Sequence, residues 1–212
     1  LLRCGIDVDY VNPVPMGEGA NHKVFLYAKP HFPEQVIKIG KPKSVTTLTH
    51  GMNEEKENFE IAEKFFPGFT AHLDVLKDPQ NDAFYCVVQD AVRGEPLTNK
   101  LIKNNLGIQK QLAEIVRLNN ILYKEEKMTL DFVGMPGFIG WFKKQFGKLI
   151  LRRSEFEVSN IIVDQNGKLI IVDYEYFNLK ENVGFIKRMK NSAGMFINRT
   201  LMKHYFGLDI KK

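Results

Sequence analysis

SNIIVDQNGKLIIVD, residues 159–173, is the stretch that decides how the second half of this chain folds. Two strand-like runs, Ile161–Asp164 and Lys168–Asp173, flank the short segment Gln165–Gly167, which ends in Asn-Gly. An Asn-Gly pair between two apolar runs is the strongest short-range signal for a β-hairpin. The stretch therefore predicts two antiparallel strands joined by a tight turn.

Asn160 and Asp173 stand at the two ends of this hairpin. Because the turn folds the strands back on each other, we expect both side chains at the same end. An amide oxygen beside a carboxylate offers the hard oxygen ligands that Mg²⁺ prefers. The alternative is that both residues only cap the hairpin, and the pair by itself does not decide between these interpretations.

The first half of the chain contains β-rich runs and one helical segment. The predicted strands are Lys23–Tyr27, Gln35–Ile39 and Phe84–Gln89, each rich in β-branched or aromatic residues. The predicted helix covers Met52–Phe66 and is followed by Pro67-Gly68, a common stop signal.

The second half is mostly helical around the hairpin. A long helix is predicted near Ile108–Glu126, with an apolar stripe that Asn119 interrupts. Basic helical sequence follows from about Asn182 to Tyr205. A strand-rich half followed by a helical half predicts an α+β fold with two lobes, residues 1–97 and 98–212.

Composition narrows the class of protein. The 212 residues have 44% hydrophobic and 26% charged side chains, as in globular domains, and no apolar run approaches the ~20 residues that span a bilayer. Cys4 and Cys86 are too few for a disulfide framework, and Cys86 lies in an apolar run where a small buried residue is expected. No cleavable signal pattern is present, so we expect a cytoplasmic protein, with secretion without a classical signal left open.

Charge is divided unevenly. Residues 1–97 carry 10 basic and 14 acidic side chains, whereas residues 98–212 carry 20 basic and 11 acidic ones. A basic half suggests an anionic partner, which could be nucleic acid, a phosphorylated ligand or a membrane surface. The alternative is that the lysines only solubilise helices.

Three features of the first half could serve phosphate binding. Gly17 and Gly19 lie in a turn before a strand, where glycine lets the backbone approach a phosphate closely. Lys38 lies in mid-strand and could place its charge on a phosphate. One stripe of the predicted helix is formed by Met52, Glu55, Phe59, Ala62 and Phe66, and Glu55 is its only charged member. A buried glutamate needs a cation, and Lys38 is the candidate. Glu57 is the alternative if the helix phase differs.

In this order the features resemble the protein-kinase-like superfamily, including its small atypical bacterial-type members and the aminoglycoside phosphotransferases. The resemblance rests on GEGANHKV (residues 17–24), VIKI (36–39), Glu55, VVQDAVRGEPL (87–97) and the hairpin followed by Asp-Tyr-Glu. The steps from Val24 to Lys38 and from Asn160 to Asp173 match the family's spacing. The resemblance covers roughly residues 10–178.

The resemblance implies a two-lobed fold with ATP and Mg²⁺ as cofactors. Gly17, Gly19 and Val24 would cover the nucleotide, and Lys38 would hold its α- and β-phosphates while paired with Glu55. The main chain at Gln89 and Ala91 would bind adenine, with Val88 behind it. Asn160 and Asp173 would hold Mg²⁺.

The catalytic base remains open, because the family's H-R-D-x-x-x-x-N pattern is absent. Asp131 follows the long helix where that motif normally lies, which would make residues 132–158 an insert. Glu155 or Glu157 is the second choice, since a longer side chain could reach the acceptor. The third possibility is that no base exists.

Three functions follow as hypotheses. The first is an ATP-dependent phosphotransferase acting on a hydroxyl of a small molecule or a non-standard protein substrate. The second is a catalytically inactive, nucleotide-binding pseudokinase that acts through a partner. The third is a module that binds nucleic acid or a membrane surface through the basic half, and the aromatic and lysine-rich insert could contribute to it or simply pack against the lobe.

Overall fold

The computed structural model of the chain describes residues 14–18, 22–27, 33–40, 45–78, 81–132, 157–180 and 184–208. It shows an α+β protein that divides into two compact units. The first unit comprises Leu1–Ile61 and Ala71–Val92, and the second comprises Ala62–Thr70 and Arg93–Lys212. The division after Val92 lies five residues before the one expected after Leu97, because the strand at Gly94–Thr98 pairs within the second unit.

The first unit is built on an antiparallel five-stranded sheet. Its strands are β1 (Val14–Glu18), β2 (His22–Tyr27), β3 (Gln35–Gly40), β4 (Leu73–Asp78) and β5 (Asn81–Asp90), in the order β1-β2-β3-β5-β4. One face carries a cluster of buried side chains formed by Tyr27, Ile37, Cys86 and Val88. The expected burial of Cys86 is therefore confirmed. Cys4 lies outside the described residues.

Helix α1 (Val45–Phe65) follows β3 and has the phase that its apolar stripe predicts. Phe59, Ala62 and Phe66 are buried, and Glu55 is half-buried on the same stripe. The remaining glutamates of the helix, Glu54, Glu57, Glu60 and Glu63, are exposed. The predicted stop is also confirmed, because Gly68 adopts the left-handed conformation (φ 81°) just after the helix.

In the part of the second unit that the structure describes, two small sheets are combined with three helices. A three-stranded sheet has the order β6-β8-β9, and a two-stranded sheet pairs β7 with β10. The elements in chain order are β6 (Gly94–Thr98), α2 (Asn99–Asn104), α3 (Leu106–Glu126), β7 (Met128–Leu130), β8 (Glu157–Asp164), β9 (Leu169–Ile171), β10 (Tyr176–Asn178) and α4 (Phe185–Phe206).

The hairpin predicted from Asn-Gly is present as β8 and β9. The amide of Gly167 donates to the carbonyl of Asp164 at 3.0 Å, and Gly167 has a φ of 76°. The Asp164 carboxylate accepts from the amides of Asn166 and Lys168, both at 2.8 Å. The loop is thus a three-residue turn that ends in a left-handed glycine.

Several elements were not anticipated from the sequence. Strands β1, β4, β6, β7 and β10 are short or polar, so their periodicity is too brief to stand out. Helix α2 has six residues and begins at the capping hydroxyl of Thr98. None of the helices in the described ranges combines the length and hydropathy that crossing a bilayer requires.

Candidate functional site

The phosphate-binding residues expected in the first unit form a row across its sheet. Val24 on β2 pairs with Gly17 on β1 and with Lys38 on β3, and Lys38 pairs in turn with Val87 on β5. Directly opposed residues project to the same face of an antiparallel sheet. Gly17, Val24, Lys38 and Val87 therefore share one position along neighbouring strands. Gly19 lies outside the described residues.

Glu55 lies on the same side of the sheet as Lys38. Tyr85 shares the face of Lys38 because it is two residues from Val87 on β5. Its hydroxyl lies against α1, since a Cβ added to Gly51 would be 3.1 Å from that oxygen. One turn further along α1, Glu55 is close enough for its charge to act on the Tyr85 hydroxyl. Lys38 and Glu55 therefore lie on the same face of the sheet.

Tyr85 is an unpredicted member of this group. Burial, followed by the negative charges of Glu55 and Glu54, raises the pKa of Tyr85 to about 12. The phenol consequently stays protonated at physiological pH and presents a hydroxyl to α1. Its position in an apolar run that also contains Cys86 and Val87 gave no sequence signal for this role.

The predicted adenine-binding residues need correction. Val88 pairs with Ile37 and belongs to the buried cluster on the opposite face from Lys38, so its side chain cannot lie behind a nucleotide bound beside Lys38. Val87 and Gln89 are the β5 residues on the Lys38 face. Gln89 lies within the sheet between Val36 and Leu73.

The main chain of this segment is also partly occupied. The Ala91 amide donates to the carbonyl of Glu34 at 2.9 Å, so it is not available to an adenine. Residues Ala91–Arg93 follow without regular structure before β6 begins. The Ala91 carbonyl and the two residues after it are the remaining main-chain candidates.

In the second unit, Asp131 and Asn160 are in direct contact. The Asn160 side-chain amide donates to the main-chain carbonyl of Asp131 at 2.7 Å, and both residues are buried, with Asp131 only 2% exposed. Because Asn160 uses its nitrogen here, its Oδ1 points away from that bond. Within the described residues, this oxygen accepts no hydrogen bond.

A break in strand pairing sets the position of Asn160. Pro96 pairs with Ile162 and the next residue, Leu97, pairs with Val158, so β8 has three extra residues opposite a single step of β6. Asn160 is the middle one of these three. Irregularities of this kind turn side chains out of the sheet and are frequent beside functional sites.

The segment after β9, Val172–Glu175, is hydrogen-bonded to Asn160 at its beginning and to Asp131 at its end. The Val172 amide donates to the Asn160 carbonyl at 3.0 Å, and the Asp131 amide donates to the Glu175 carbonyl at 2.8 Å. Asp173 lies between these two contacts and is half-buried. Asp131, Asn160 and Asp173, three residues far apart in sequence, are therefore neighbours in the second unit.

The oxygen donors of this group suit a magnesium ion. The Asp173 carboxylate makes no hydrogen bond or ion pair with the described residues, and the Asn160 Oδ1 is likewise uncommitted. An amide oxygen and a carboxylate are both hard ligands. No group of three or more His, Cys, Asp or Glu side chains that could hold a metal ion occurs in the described ranges.

Two buried asparagines support the segment that leads into Asp131. Asn119 of α3 accepts from the Leu130 amide at 2.8 Å and exchanges hydrogen bonds with the Thr129 hydroxyl. Asn198 of α4 donates to the Leu130 carbonyl at 2.9 Å. The interruption that Asn119 makes in the apolar stripe of α3 was the sequence signal for this role. Asn198 had no comparable signal.

The alternative bases have different positions. Glu157 begins β8 as an exposed residue and pairs with Thr98, three residues before Asn160. Glu155 lies outside the described residues, as does most of the insert, residues 133–156. Of the two candidate bases within the described residues, Asp131 is the one that contacts Asn160.

Within the described residues, each unit carries one group of the candidate residues, whereas Gly19 and Glu155 lie outside these ranges. In the first unit these are Gly17, Val24, Lys38 and Glu55, and in the second they are Asp131, Asn160 and Asp173. Neither the protein-family models nor the curated proteins compared with this chain give a match, so the family resemblance rests on these residues and their spacing.

Proposed function

We propose that the protein is an ATP-dependent phosphotransferase of the protein-kinase-like type that transfers the γ-phosphoryl group to a hydroxyl. The observation that carries this proposal is the contact of the Asn160 amide with the Asp131 carbonyl, with Asp173 beside them. It joins a candidate base to one candidate metal ligand, and the segment that carries the other ligand, Asp173, is hydrogen-bonded to both residues.

In the first unit, Lys38 would supply positive charge to the nucleotide phosphates. Phosphoryl transfer depends mainly on positioning and charge neutralisation. A lysine in mid-strand has a fixed backbone, and a carboxylate on α1 can hold its flexible side chain in place. The half-buried Glu55 on the Lys38 side of the sheet supports this role. The glycine at position 17, in the same row, lets a phosphate approach the β1 main chain.

In the second unit, Asn160 Oδ1 and the Asp173 carboxylate would hold Mg²⁺. The bound ion would neutralise charge on the phosphate oxygens. The Asp131 carboxylate would accept a hydrogen bond from the acceptor hydroxyl and orient it. The hydroxyl oxygen then forms a bond to the γ-phosphorus while the bond to the β,γ-bridging oxygen breaks. The hydroxyl proton passes to Asp131, and ADP leaves.

One observation favours a second candidate, nucleotide binding without transfer. Asp131 is almost completely buried, whereas a base must touch its acceptor. A protein that used Asp131 only to organise Asn160 would bind ATP and Mg²⁺ and act through a partner. The two candidates share the nucleotide site and differ in the role of the Asp131 carboxylate.

The test of the nucleotide site is thermal melting with and without ATP and Mg²⁺. A ligand present at 100 times its dissociation constant adds about 2.7 kcal/mol, which corresponds to a shift of roughly 5 °C or more for a chain of this size. We expect Lys38→Met and Asp173→Asn to reduce this shift strongly. The matched control is Lys23→Met, which removes an exposed lysine from the neighbouring strand.

The outcomes separate the hypotheses. A magnesium-dependent shift that is lost in both variants and kept in Lys23→Met supports the site in both units. No shift at millimolar ATP would overturn the proposal. A shift that Lys38→Met leaves intact would remove Lys38 from the site.

A further inference from the structure

Helix α4 has a composition unlike that of the other helices. Its 22 residues contain five Lys or Arg side chains and no Asp or Glu. The basic residues are Lys187, Arg188, Lys190, Arg199 and Lys203. The helix therefore carries much of the positive charge of the second half. The proposed phosphotransferase site involves none of these side chains.

The outer face of α4 is apolar. Phe185 is 72% exposed, Met189 59% and Phe196 70%. Steps of four and seven residues place these three side chains on one line along the helix. The opposite face, which includes Met195, Asn198, Leu201 and Met202, is buried in the second unit. Large exposed apolar side chains in a row, bordered by charge, mark an interaction surface.

Cations lie beside this row and in line with it. At 100° per residue, Arg188 and Arg199 lie along one flank of the row, and Lys203 lies in line with it one to two turns beyond Phe196. Arg199 also lines a cavity of about 320 Å³ beside the row, together with Tyr123, Leu179, Ser192, Met195 and Phe196. Arg199 forms no ion pair with any residue in the described ranges. A cation next to an apolar wall suits a ligand that is itself anionic and apolar.

We propose that the outer face of α4 binds to an anionic lipid bilayer. Phe185, Met189 and Phe196 would enter the boundary between headgroups and acyl chains, and the flanking cations would meet lipid phosphates and carboxylates. The apolar side chains project from the convex surface of a single helix. That shape suits a planar interface. The absence of any acidic residue on α4 adds charge complementarity.

The test is cosedimentation of the full chain with vesicles, without nucleotide, so its result is independent of the proposed activity. We expect binding to phosphatidylcholine vesicles that contain about one third phosphatidylserine, and little binding to phosphatidylcholine alone. The binding should fall strongly in about 0.5 M NaCl. Phe185→Ser combined with Phe196→Ser should weaken it roughly tenfold or more.

Leu106→Ser is the matched control, because Leu106 is 64% exposed on α3 and lies far from α4 in sequence. It should leave vesicle binding unchanged. Equal loss in Leu106→Ser and in the double variant would overturn the assignment to α4. So would equal binding to neutral and anionic vesicles. If no vesicle binds and the double variant converts an oligomer to a monomer in gel filtration, the face is a protein interface and the membrane proposal is wrong.

Discussion

At the scale of single residues, the main chain of Asp131 is held on both sides. Its carbonyl accepts from Asn160 and its amide donates to Glu175, so both main-chain polar groups are satisfied inside the second unit. The residue before it, Leu130, is bound by Asn119 and Asn198. A substitution at this position leaves these main-chain contacts in place.

Asp131→Asn tests the role of the carboxylate. We expect the variant to remain folded and to keep its stabilisation by ATP and Mg²⁺, because the main-chain contact with Asn160 remains. Phosphoryl transfer should fall roughly 100-fold or more if the carboxylate accepts the hydroxyl proton. ADP formation with an acceptor measures the transfer. Full activity would move the role to Glu157 or Glu155, and Asp74→Asn, at an exposed position, is the control.

Tyr85 gives a prediction about pH. Its pKa of about 12 in the folded protein lies above the ordinary 10, so the folded state keeps the proton more tightly than the unfolded state. The corresponding stability is complete below pH about 10 and is lost as pH rises toward 12. Its size is on the order of 1–2 kcal/mol.

The measurement is urea unfolding at about pH 9 and about pH 11.5, with Tyr85→Phe beside the unaltered chain. The phenylalanine variant should lose less stability between the two values. Glu55→Gln should reduce the difference in part, because the Glu55 charge contributes to the raised pKa of Tyr85. An identical pH dependence in all three proteins would contradict the placement of Glu55 near the phenol.

At the scale of elements, the pairing of β6 with β8 determines where Asn160 stands. Gly94 begins β6 opposite Asp164. A Cβ at this glycine would overlap the Val163 carbonyl oxygen and lie 2.8 Å from its carbon, both of them main-chain atoms. The two strands approach so closely that no side chain fits at this point.

Gly94→Ala should therefore be strongly destabilising, by roughly 2–4 kcal/mol. Because β8 carries Asn160, the stabilisation by ATP and Mg²⁺ should also shrink. Gly184→Ala is the control, since a Cβ there meets nothing within 4 Å. Thermal melting of both variants checks this, and equal melting temperatures would show that β6 and β8 can separate without cost.

The elements also show what the sequence could predict. Asn-Gly located the β8–β9 hairpin because turn chemistry is local, and the stripe on α1 gave the correct phase for Glu55. The side of β5 that Val88 faces was not predictable, because Val87 and Val88 are both apolar and give no alternation. The irregularity at Asn160 depends on how β6 pairs, which is a long-range property.

At the scale of the whole molecule, the boundary between the two units differs from the one expected from the sequence. Each candidate group lies in a single unit, and the observed division at Val92 follows from the pairing of β6 inside the second unit. The charge difference between the two halves also has a local origin, since five cations belong to α4 alone. This helix packs against the second unit by its other face. The sequence alone does not show this, so the exposed apolar row could be assigned to the outer face only once the structure was known.

The two asparagines that bind β7 have a consequence for how the molecule opens. β7 has only three residues, yet the Leu130 amide donates to a buried side chain of α3 and the Asp131 amide to the carbonyl of Glu175. Backbone amides exchange hydrogen with solvent only when such bonds break. We therefore expect these two amides to be among the slowest to exchange in deuterium-labelling measurements, and Asn119→Ala to accelerate Leu130 selectively. Rapid exchange at the Leu130 amide would contradict this prediction. Slow exchange would mean that β7 stays in place when an acceptor enters, so that any opening motion takes place in other segments.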